Sequence, residues 1–539
     1  MYVRSVDVLE QELKDFLSNP HSSKTLAKAV NKAKKILSVD KKSNYANYTL
    51  ALHKLAVANK TAPMADYTDV VNSLEKIIKS DPKFLEAYLM LVKLYREIDR
   101  NKEYQLLLKA NDEFPDHYLI MFDLANMMCF RTGEKEKGLE FFGRCVQKLP
   151  MVDSAWAGTG SAYLITRNFE MALTCFETAI SINPDNVESI LGIGVYYFEH
   201  GNFDKAREYY EKSIKVERDN FWGNFNLALL KMLQGDYIGG LEGFEKRNKD
   251  QFLKKYGGHG YVEMLKKDIK KDSKQKIVIL REQGFGDDIM FSRYLKPFKE
   301  LGYDITFACQ PELEKFFRLF PELDEIKIMS QIPQQPFDKR TFLMSLPWLM
   351  SDLIKKKINK PLAIDYERFS NAEVDIPKKL KEIVKTKKLK VGIAWSGRPS
   401  HMRDNCRNMR LDLLDSLFKN KDIEFFAVQK IEKKEDIKFL KKYSNVHNLS
   451  DDLKSFMHTA YFIDKMDVVF TIDTSLVHLA GTMNKKTYLF LPFVPDYRWG
   501  LKETQEWYPS VSLLRQKKQD EWDYPINECK KIIKKLSKI

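Results

Sequence analysis

Cysteine is scarce and widely dispersed in this chain of 539 residues, which excludes several classes of protein. No CxxC pair occurs, and no cysteines and histidines have the spacing of a zinc site. The dense cysteine framework of small secreted domains is also missing. Reduced thiols in a cytoplasmic protein are the interpretation that fits best. The six positions are Cys129, Cys145, Cys175, Cys309, Cys406 and Cys529.

The chain also lacks a long uninterrupted run of apolar residues. No segment approaches the about 20 apolar residues that a membrane-spanning helix needs. The first residues, MYVRSVDVLEQELKDFL, have an amphipathic helical pattern with acidic residues inside it, unlike the apolar core of a signal peptide. We therefore expect a cytoplasmic protein without a transmembrane segment.

Positive charge is abundant, but the patterns of nucleic-acid-binding proteins are missing. The chain has 89 lysines and arginines against 75 aspartates and glutamates, a net charge of +14. The lysines are spread along segments typical of solvated helix faces. No segment interleaves arginines with aromatic residues, and no nucleic-acid-binding motif occurs. We expect no nucleic-acid partner.

The first half of the chain contains a repeat of 34 residues. The segment DSAWAGTGSAYLITRNFEMALTCFETAISINP, which starts at Asp153, has large, small and proline positions that recur 34 residues later and 34 residues earlier, with looser matches further away. Gly160, Ala172 and Ala179 are small residues that let two helices approach closely. Pro184 then stops the second helix. This spacing and pattern resemble the tetratricopeptide repeat (TPR) family.

The resemblance implies an α solenoid made of helix pairs. One repeat cannot bury its own apolar face, so at least three must stack. We count five or six repeats between about Asn44 and Arg247. Residues 1–43 are predicted to form a helical cap and residues 44–250 the solenoid. The concave face of a solenoid usually binds a segment of a partner protein; a spacer or a dimerisation surface is the alternative.

The second half changes its period after a glycine-containing linker at residues 251–275, which includes YGGHGY. Short β-branched runs there alternate with helical stretches, which predicts parallel sheets covered by helices on both faces. The charged stretch 378–390 is typical of a helix and linker between two sheets. We therefore predict an α/β lobe at residues 276–377 and a second at residues 378–539. The runs are 276–280, 304–309, 390–395, 423–428, 468–472 and 487–491.

The segment REQGFGDDIMFSRYL joins the first run to a helix. We expect Gly284 and Gly286 to adopt backbone angles that a side chain forbids, which would bring amide groups close to a ligand. The lysine of a P-loop is missing, and the GxGxxG pattern fails because Met290 and Phe291 follow. Asp287 suits a general base that takes a proton from an acceptor hydroxyl. The alternative is that Asp287 only caps its helix.

Two more polar loops follow predicted strands of the second lobe. In VVFTIDTSLVHLAG, Asp473, Thr474 and Ser475 stand where a helix begins, and His478 follows one turn later. Free backbone amides and two hydroxyls at such a place suit a diphosphate. A histidine of this kind is, taken alone, more often structural.

In AWSGRPSHMRDNCRNMRL, a glycine turn is followed by His401, Arg403 and Arg407. A pair of arginines and a histidine beside such a turn suit a charged leaving group. Taken alone, the two arginines are more often solvated charge. The sequence favours a functional site because three polar loops each follow a predicted strand.

Together with AVQK and LPFVPDYRWGLKETQEWYPSVSLLRQ, these segments resemble the bacterial tetratricopeptide-repeat glycosyltransferases. The catalytic half of that family is similar to the lipopolysaccharide heptosyltransferases and, more distantly, to the O-linked N-acetylglucosamine transferases. The resemblance extends from about Asp153 to Gln516. It implies a GT-B architecture, in which two Rossmann-like lobes face a cleft. A nucleotide-sugar donor would be held mainly by the second lobe, and the acceptor would be presented at the first.

The same resemblance implies roles for individual residues. Asp287 matches the base. Met402, Arg403 and Asn408 depart from the family pattern, which leaves the identity of the donor open. No metal cofactor is expected, because positive charge and helix dipoles can stabilise a departing phosphate. The positions implied in donor binding are Gly284, Gly286, Ser396, His401, Arg407, Gln429, Asp473, Thr474, Ser475 and His478.

The implied reaction is transfer of a sugar to a hydroxyl. The expected acceptor is a Ser or Thr of a protein held by the repeats, such as flagellin or another surface protein. One alternative is a binding scaffold whose α/β half has lost its activity. Another is a glycosyltransferase that acts on a surface polysaccharide or a lipid-linked sugar. The sequence leaves the sugar, the nucleotide and the oligomeric state open.

Overall fold

The computed structural model describes residues 6–17, 23–61, 67–247, 249, 253, 261–328, 336–354, 369, 374–398 and 403–537. The chain divides into two compact units, Met1–Tyr196 and Tyr197–Ile539, and each is described by itself. Within the ranges just given, no helix is both long and apolar enough to cross a membrane. Residues 251, 252 and 254–260 of the predicted linker at 251–275, which include most of its glycine-rich part, lie outside the described residues.

The first unit is a succession of helices that pack in antiparallel pairs. A short π-helical turn at Met128–Thr132 extends the seventh helix. The helices are α1 (Val6–Leu17), α2 (Ser23–Val39), α3 (Asn44–Thr61), α4 (Thr68–Ser80), α5 (Leu85–Ile98), α6 (Arg100–Glu113), α7 (Tyr118–Met127), α8 (Lys135–Lys148), α9 (Asp153–Ile165), α10 (Phe169–Ile182) and α11 (Val187–Glu199).

The pair α9 and α10 explains how the repeat sequence produces this packing. Gly160 lies against the buried ring of Phe176, and a Cβ at this glycine would stand 2.6 Å from that ring. Helix α10 ends at Ile182, just before Pro184, as the sequence predicts. Its first turn is capped by Asn168, whose side chain accepts a hydrogen bond from the backbone N–H of Met171.

The helix-pair pattern continues into the second unit with α12 (Phe203–Val216), α13 (Phe221–Leu233) and α14 (Tyr237–Phe244). From α3 to α14 the described chain contains twelve helices, and the sequence predicts five or six repeats of two helices each over this region. Helices α6, α10, α12 and α14 each begin after an Asn or Asp whose side chain accepts a hydrogen bond from a backbone N–H of the first turn. These caps are Asp99, Asn168, Asn202 and Asp236.

The rest of the second unit contains two parallel sheets. The first has the strand order β3-β2-β1-β4 and the second has the order β10-β9-β8-β5-β6-β7. Counted within its own lobe, the second sheet has the order 3-2-1-4-5-6, which is that of doubly wound nucleotide-binding sheets. The strands are β1 (Lys276–Leu280), β2 (Asp304–Cys309), β3 (Glu325–Ile328), β4 (Lys339–Phe342), β5 (Leu389–Ala394), β6 (Ile423–Ala427), β7 (Val446–Asn448), β8 (Val468–Ile472), β9 (Thr487–Leu491) and β10 (Val511–Arg515).

Each of the six runs predicted as strands forms a strand, whereas β3, β4, β7 and β10 were not predicted. Short helices cover the sheets. They are α15 (Phe285–Phe291), α16 (Leu295–Lys299), α17 (Pro311–Phe317), α18 (Leu346–Leu349), α19 (Ser351–Ile354), α20 (Lys378–Ile383), α21 (Asp404–Arg407), α22 (Asp415–Phe418), α23 (Lys434–Leu440), α24 (Phe456–Lys465), α25 (Ser475–Thr482) and α26 (Asp523–Leu536).

The last two repeat helices, α13 and α14, belong to the same hydrophobic core as the two sheets. Ala228, Met232 and Phe244 from these helices are buried in one cluster with apolar residues of both lobes. The ring of Tyr237, at the start of α14, meets Trp507 of the second lobe edge-on at 5.5 Å between centroids. The end of the repeat region is therefore packed as an integral part of the α/β half.

Candidate functional site

The three polar loops singled out in the sequence follow β1, β5 and β8 directly. In both sheets these strands lie at the point where the strand order reverses, between β1 and β4 and between β5 and β8. Ligands of open parallel sheets bind outside the carboxyl ends of the strands at such a point. The candidate site is built from these loops.

The loop after β1 contacts the loop after β8. The helices that these loops open, α15 and α25, pack against each other. The two helices approach closely at Gly286, where a Cβ would stand 2.9 Å from His478 Cδ2 and 3.4 Å from Ser475 Cα. The structure thus brings together the glycine turn of the first lobe and the Asp-Thr-Ser segment of the second.

The reason for the two glycines differs from the one predicted. Gly284 has φ −85°, and Gly286 lies inside α15, so neither has a positive φ. The prediction that these two glycines adopt backbone angles forbidden to other residues is therefore wrong. Gly286 is needed because His478 leaves no room for a side chain. A Cβ at Gly284 would meet only Asp287 Oδ2, at the ordinary distance of 3.4 Å.

Asp287 is largely buried and makes two contacts. Its Oδ2 accepts a hydrogen bond of 2.9 Å from the backbone N–H of Gly284, which caps α15. Its Oδ1 forms an ion pair with Arg498 Nη2 of the second lobe. The capping role foreseen as the alternative is therefore present, and the same carboxylate also reaches across to the second lobe.

Arg498 is a residue that sequence reasoning missed, although it lies in the quoted segment LPFVPDYRWG. Its Nη1 donates to Asp496 Oδ1 at 2.7 Å, and its guanidinium lies 4.3 Å from the ring centre of Tyr497. Its Nε is buried and has no hydrogen-bond partner among the described residues. Nothing in the sequence marks this arginine, because Asp287 lies 211 residues away.

The loop after β8 has the geometry that the sequence predicts. Thr474 is the N-cap of α25, and its Oγ1 accepts from the backbone N–H of Leu476 at 3.3 Å. Ser475 is the first residue of that helix. Burial, reinforced by the negative charge of Asp496 and opposed by Arg498, raises the pKa of Asp473 to about 6.

His478 is a buried packing residue one turn into α25. Its Nδ1 is 3.0 Å from the hydroxyl of Tyr508, and its ring stacks on Trp499 at 5.5 Å between centroids. Burial, together with the positive charges of Arg498 and Arg293, holds the pKa of His478 well below its ordinary value. The imidazole is therefore uncharged at neutral pH.

Arg407 joins the loop after β5 to the loop after β8. Its Nη1 donates to the backbone oxygen of Asp473 at 3.0 Å, and its guanidinium lies so close to Gly397 that a Cβ there would overlap it. Its side chain is only 13% exposed, so it is not the solvated charge considered as the alternative. Within the described chain its buried Nε has no hydrogen-bond partner.

Gln429, just after β6, holds the backbone of the loop after β5. Its Oε1 accepts from the backbone N–H of Trp395 at 2.7 Å and from that of Ser396 at 3.2 Å. Its Nε2 donates to Ser396 Oγ at 2.7 Å. The geometry gives Gln429 a positioning role for this loop.

The next part of this loop is attached to a repeat helix. Arg403 Nη1 forms an ion pair of 3.2 Å with Glu199 at the end of α11, and its Nη2 donates to the backbone oxygen of Val494 at 2.9 Å. His401, predicted to face the donor, lies outside the described residues, and so does Met402.

Three charged residues of the segment REQGFGDD are buried, which was not predicted. Arg281 Nε contacts Asp288 Oδ2 at 3.2 Å. Burial raises the pKa of Asp288 to about 7, against the lowering effect of Arg281. Glu282 accepts from Arg247, which follows the last repeat helix, with an Nη2–Oε1 distance of 2.7 Å. These pairs hold the residues that precede and follow the glycine turn.

Metal ligation can be considered from the side chains themselves. In the part of the chain that the structure describes, no group of three or more His, Cys, Asp or Glu side chains is placed to hold a metal ion. The charged groups of the site form pairs of opposite sign instead, such as Asp287 with Arg498 and Arg498 with Asp496.

Comparisons with known proteins identify the repeats. Residues 154–186 and residues 187–220 each match a family model described as a tetratricopeptide repeat. No curated protein matches the chain. The chain therefore contains tetratricopeptide repeats, which support a role in binding protein partners.

Similar solved structures include a crystal structure of PilW, described as a widely conserved type IV pilus biogenesis factor. It is 16% identical, with 40% of this chain and 95% of that chain covered and a TM-score of 0.32. A crystal structure of MamA protein is 18% identical, with 34% and 98% covered and a TM-score of 0.25. A tetratricopeptide repeat protein from Parabacteroides merdae is 18% identical, with 37% and 78% covered and a TM-score of 0.32.

Proposed function

We propose that this protein is a GT-B glycosyltransferase, which transfers a sugar from a nucleotide-sugar donor to a hydroxyl of a protein bound by its repeats. The proposal combines the sequence resemblance with the placement of the polar loops at the switch points of two parallel sheets. The tetratricopeptide repeats supply the surface for the acceptor protein, which we propose is flagellin or another surface protein.

One observation carries the proposal: charged side chains connect the candidate base to the candidate phosphate site. Asp287 pairs with Arg498, and Arg498 pairs with Asp496. The charges of Asp496 and Arg498 both act on Asp473, whose backbone oxygen accepts from Arg407. A structural cap alone would not require a carboxylate that is linked to another lobe by a buried arginine.

In the proposed reaction, the acceptor oxygen forms a bond to the anomeric carbon of the donor sugar. The bond from that carbon to the phosphate oxygen breaks, and its electron pair leaves with the nucleoside diphosphate. The proton of the acceptor hydroxyl passes to the carboxylate of Asp287. Arg407 and Arg498 neutralise the charge that develops on the diphosphate, which is the task that a metal ion performs in other transferases.

The remaining predicted site residues shape the donor site in this proposal. The backbone amides at Thr474 and Ser475 face the phosphates from the start of α25, the N-terminus of which favours negative charge. Gln429 and Ser396 fix the loop beside them. His478 contributes by packing, since its uncharged ring fills the space below Gly286.

The direct test is a transfer assay with the purified full-length chain. Uridine, guanosine, adenosine and thymidine diphosphate sugars are each supplied with unglycosylated flagellin from the same cell, and intact masses are measured. We expect one donor to increase the mass of the acceptor by one or more sugar residues. In parallel, flagellar and secreted proteins from cells with and without the gene should differ by the same mass.

A binding scaffold with an inactive α/β half is the second candidate, favoured by the tetratricopeptide repeats themselves. Donor-dependent thermal stabilisation separates the two. A ligand at 100 times its Kd stabilises the native state by about 2.7 kcal/mol. If no nucleotide sugar and no nucleoside diphosphate raises the melting temperature, the scaffold is the better description. Transfer to a polysaccharide or lipid-linked sugar, and not to protein, would identify the third alternative.

A further inference from the structure

We propose that Arg498 couples donor binding to catalysis: it pairs with Asp287 until the diphosphate of the donor draws it away, and the carboxylate is then free to act as the base. This inference rests on the proposed function and adds to it the order in which the steps occur. The donor must bind before the acceptor can be deprotonated. It also assigns Arg498 to the binding of the donor diphosphate.

The first step of the argument concerns the oxygens of Asp287. A general base must form a hydrogen bond with the hydroxyl whose proton it accepts. Oδ2 accepts from the backbone N–H of Gly284, and Oδ1 is engaged by Arg498 Nη2. Both contacts lie in a place where the side chain of Asp287 is 15% exposed and that of Arg498 is 11% exposed. In this arrangement the oxygen that faces the second lobe is occupied by the guanidinium.

The second step concerns the freedom of Arg498 to change partners. Its Nη1 is anchored by Asp496 at 2.7 Å, and the face of its guanidinium lies on Tyr497. Its Nε has no hydrogen-bond partner among the described residues. The guanidinium can keep its contact with Asp496 through Nη1 while its other N–H groups form hydrogen bonds with a phosphate. Arginine forms bidentate contacts with phosphate in this geometry.

The third step places the competing anion. Arg407, like Arg498, has a buried Nε without a hydrogen-bond partner in the described chain. Its Nη1 donates to the backbone oxygen of Asp473, at the start of the loop before α25. Arg498 acts on the carboxyl of the same Asp473. Two arginines with spare N–H groups therefore converge on one residue. A diphosphate carries more negative charge than one carboxylate and offers more acceptor oxygens to both arginines.

When the donor binds, Arg498 moves its Nη2 contact from Asp287 to a phosphate oxygen, and no covalent bond changes in this step. The transfer step follows with the atoms as given above: the acceptor proton ends on Asp287, and the electron pair of the broken bond ends on the phosphate that Arg498 now holds. After the diphosphate leaves, Arg498 returns to Asp287.

If Asp287 and the diphosphate compete for the guanidinium of Arg498, removing Asp287 should affect the binding of the diphosphate. A purely structural ion pair does not predict this effect. Asp287→Asn removes the competitor, so the diphosphate should bind more tightly although transfer is lost. Uridine, guanosine, adenosine and thymidine diphosphates are titrated by calorimetry into the full-length wild type and its variants. For the diphosphate that binds, we expect Asp287→Asn to lower the Kd roughly threefold or more, as expected for release of an ion pair. Arg498→Ala should raise the Kd by about tenfold or more, since charge-assisted hydrogen bonds are lost.

The decisive arm is the double variant Asp287→Asn/Arg498→Ala. Its Kd should equal that of Arg498→Ala, because without the arginine there is nothing to release. Arg410→Ala is the matched control, since Arg410 pairs with Asp412 in the same lobe but is 81% exposed; its Kd should equal that of the wild type. Arg498→Lys keeps the charge without the fork and covers the case in which Arg498→Ala does not fold. It should bind the diphosphate more weakly than the wild type.

The inference is overturned if the wild type binds a diphosphate but Asp287→Asn does not tighten it. It is also overturned if the tightening persists without Arg498, or if neither Arg498 variant weakens binding. A wild type that binds none of the diphosphates and none of their sugars contradicts the proposed function itself, and the coupling with it. A wild type that transfers sugar normally while Arg498 has no effect on donor binding contradicts only the coupling.

Discussion

Asp287 and Arg498 form an ion pair although 211 residues separate them in the chain. Asp287 stands in the turn after β1 of the first lobe, and Arg498 follows β9 of the second. Because each residue belongs to a different sheet, the pair forms only when both lobes have folded and associated. The candidate base is thus positioned by the second lobe as well as by its own helix.

Replacing Asp287 by Asn should abolish sugar transfer. The amide keeps the size of the side chain but cannot accept a proton, so we expect transfer to fall by about 10² to 10⁴. The rate is measured from the mass of the acceptor over time. Asp304→Asn, at an aspartate with a 55% exposed side chain at the start of β2, is the control and should transfer normally. Transfer by Asp287→Asn at the wild-type rate would show that the base is another group.

Gly286 and Gly284 should respond differently to the same substitution. Gly286→Ala places a Cβ 2.9 Å from His478, whose buried ring cannot move freely, so α15 and α25 must separate. We expect a loss of about 1–3 kcal/mol in the free energy of unfolding, as for other overpacked sites. Gly284→Ala, where the new Cβ would stand 3.4 Å from Asp287 Oδ2, should stay close to the wild type. Equal losses in denaturant unfolding would contradict the close approach.

The buried pair of Glu282 and Arg247 should be important for stability. Both side chains are almost fully buried, so Glu282→Gln leaves the positive charge of Arg247 with only part of its compensation, from Glu245. We expect a loss of about 3 kcal/mol, measured by denaturant unfolding. Glu314→Gln removes a glutamate from an ion pair with Arg318, which is 59% exposed, and should cost less than about 1 kcal/mol. A Glu282 variant as stable as the Glu314 variant would contradict this.

Asp473 should make the stability of the protein depend on pH. Burial raises its pKa from the ordinary 3.8 to about 6, so the native state binds a proton that the unfolded chain releases. The stability that this proton contributes is present below pH 3.8 and is lost as the pH rises through 6. The amide of Asp473→Asn stays uncharged at every pH, so this variant does not lose that stability. Its melting temperature relative to the wild type should therefore increase between pH 4 and pH 7, on the order of 2 °C.

The control for this pH dependence is Asp422→Asn, which changes an exposed aspartate of the same lobe. Its melting temperature should differ from that of the wild type by a constant amount over the same range of pH. A difference between Asp473→Asn and the wild type that does not change with pH would show that the carboxyl of Asp473 has no raised pKa.

The strands show how far sequence reasoning reaches. Each strand that was predicted lies in the interior of its sheet, and β3, β4, β7 and β10, which were missed, are the four edges. Interior strands such as KIVIL are covered on both faces and read as continuous apolar runs. An edge strand such as EIKI or VHN is partly solvated and carries charged or polar residues, so its pattern resembles that of a loop.

The arrangement of the loops at the candidate site was predictable to a similar extent. The loops after β1, β5 and β8 carry local signals, glycines and hydroxyl residues beside apolar runs, and the structure brings them together. Arg498 and the pairing of Glu282 with Arg247 carry no local signal, because their partners lie far away in the chain. The role of Gly286 was missed for the same reason, since the residue that crowds it, His478, belongs to the other lobe.

The attachment of the last helix hairpins to the two lobes limits how the length of this protein can vary. Helices α13 and α14 are buried in the core of the α/β half, and Glu199, at the end of α11, is paired with Arg403. A duplication or deletion of repeats near this end would disrupt both contacts. We therefore expect natural homologues to gain and lose repeats on the amino-terminal side, while the helices from α12 onwards are inherited together with the α/β half.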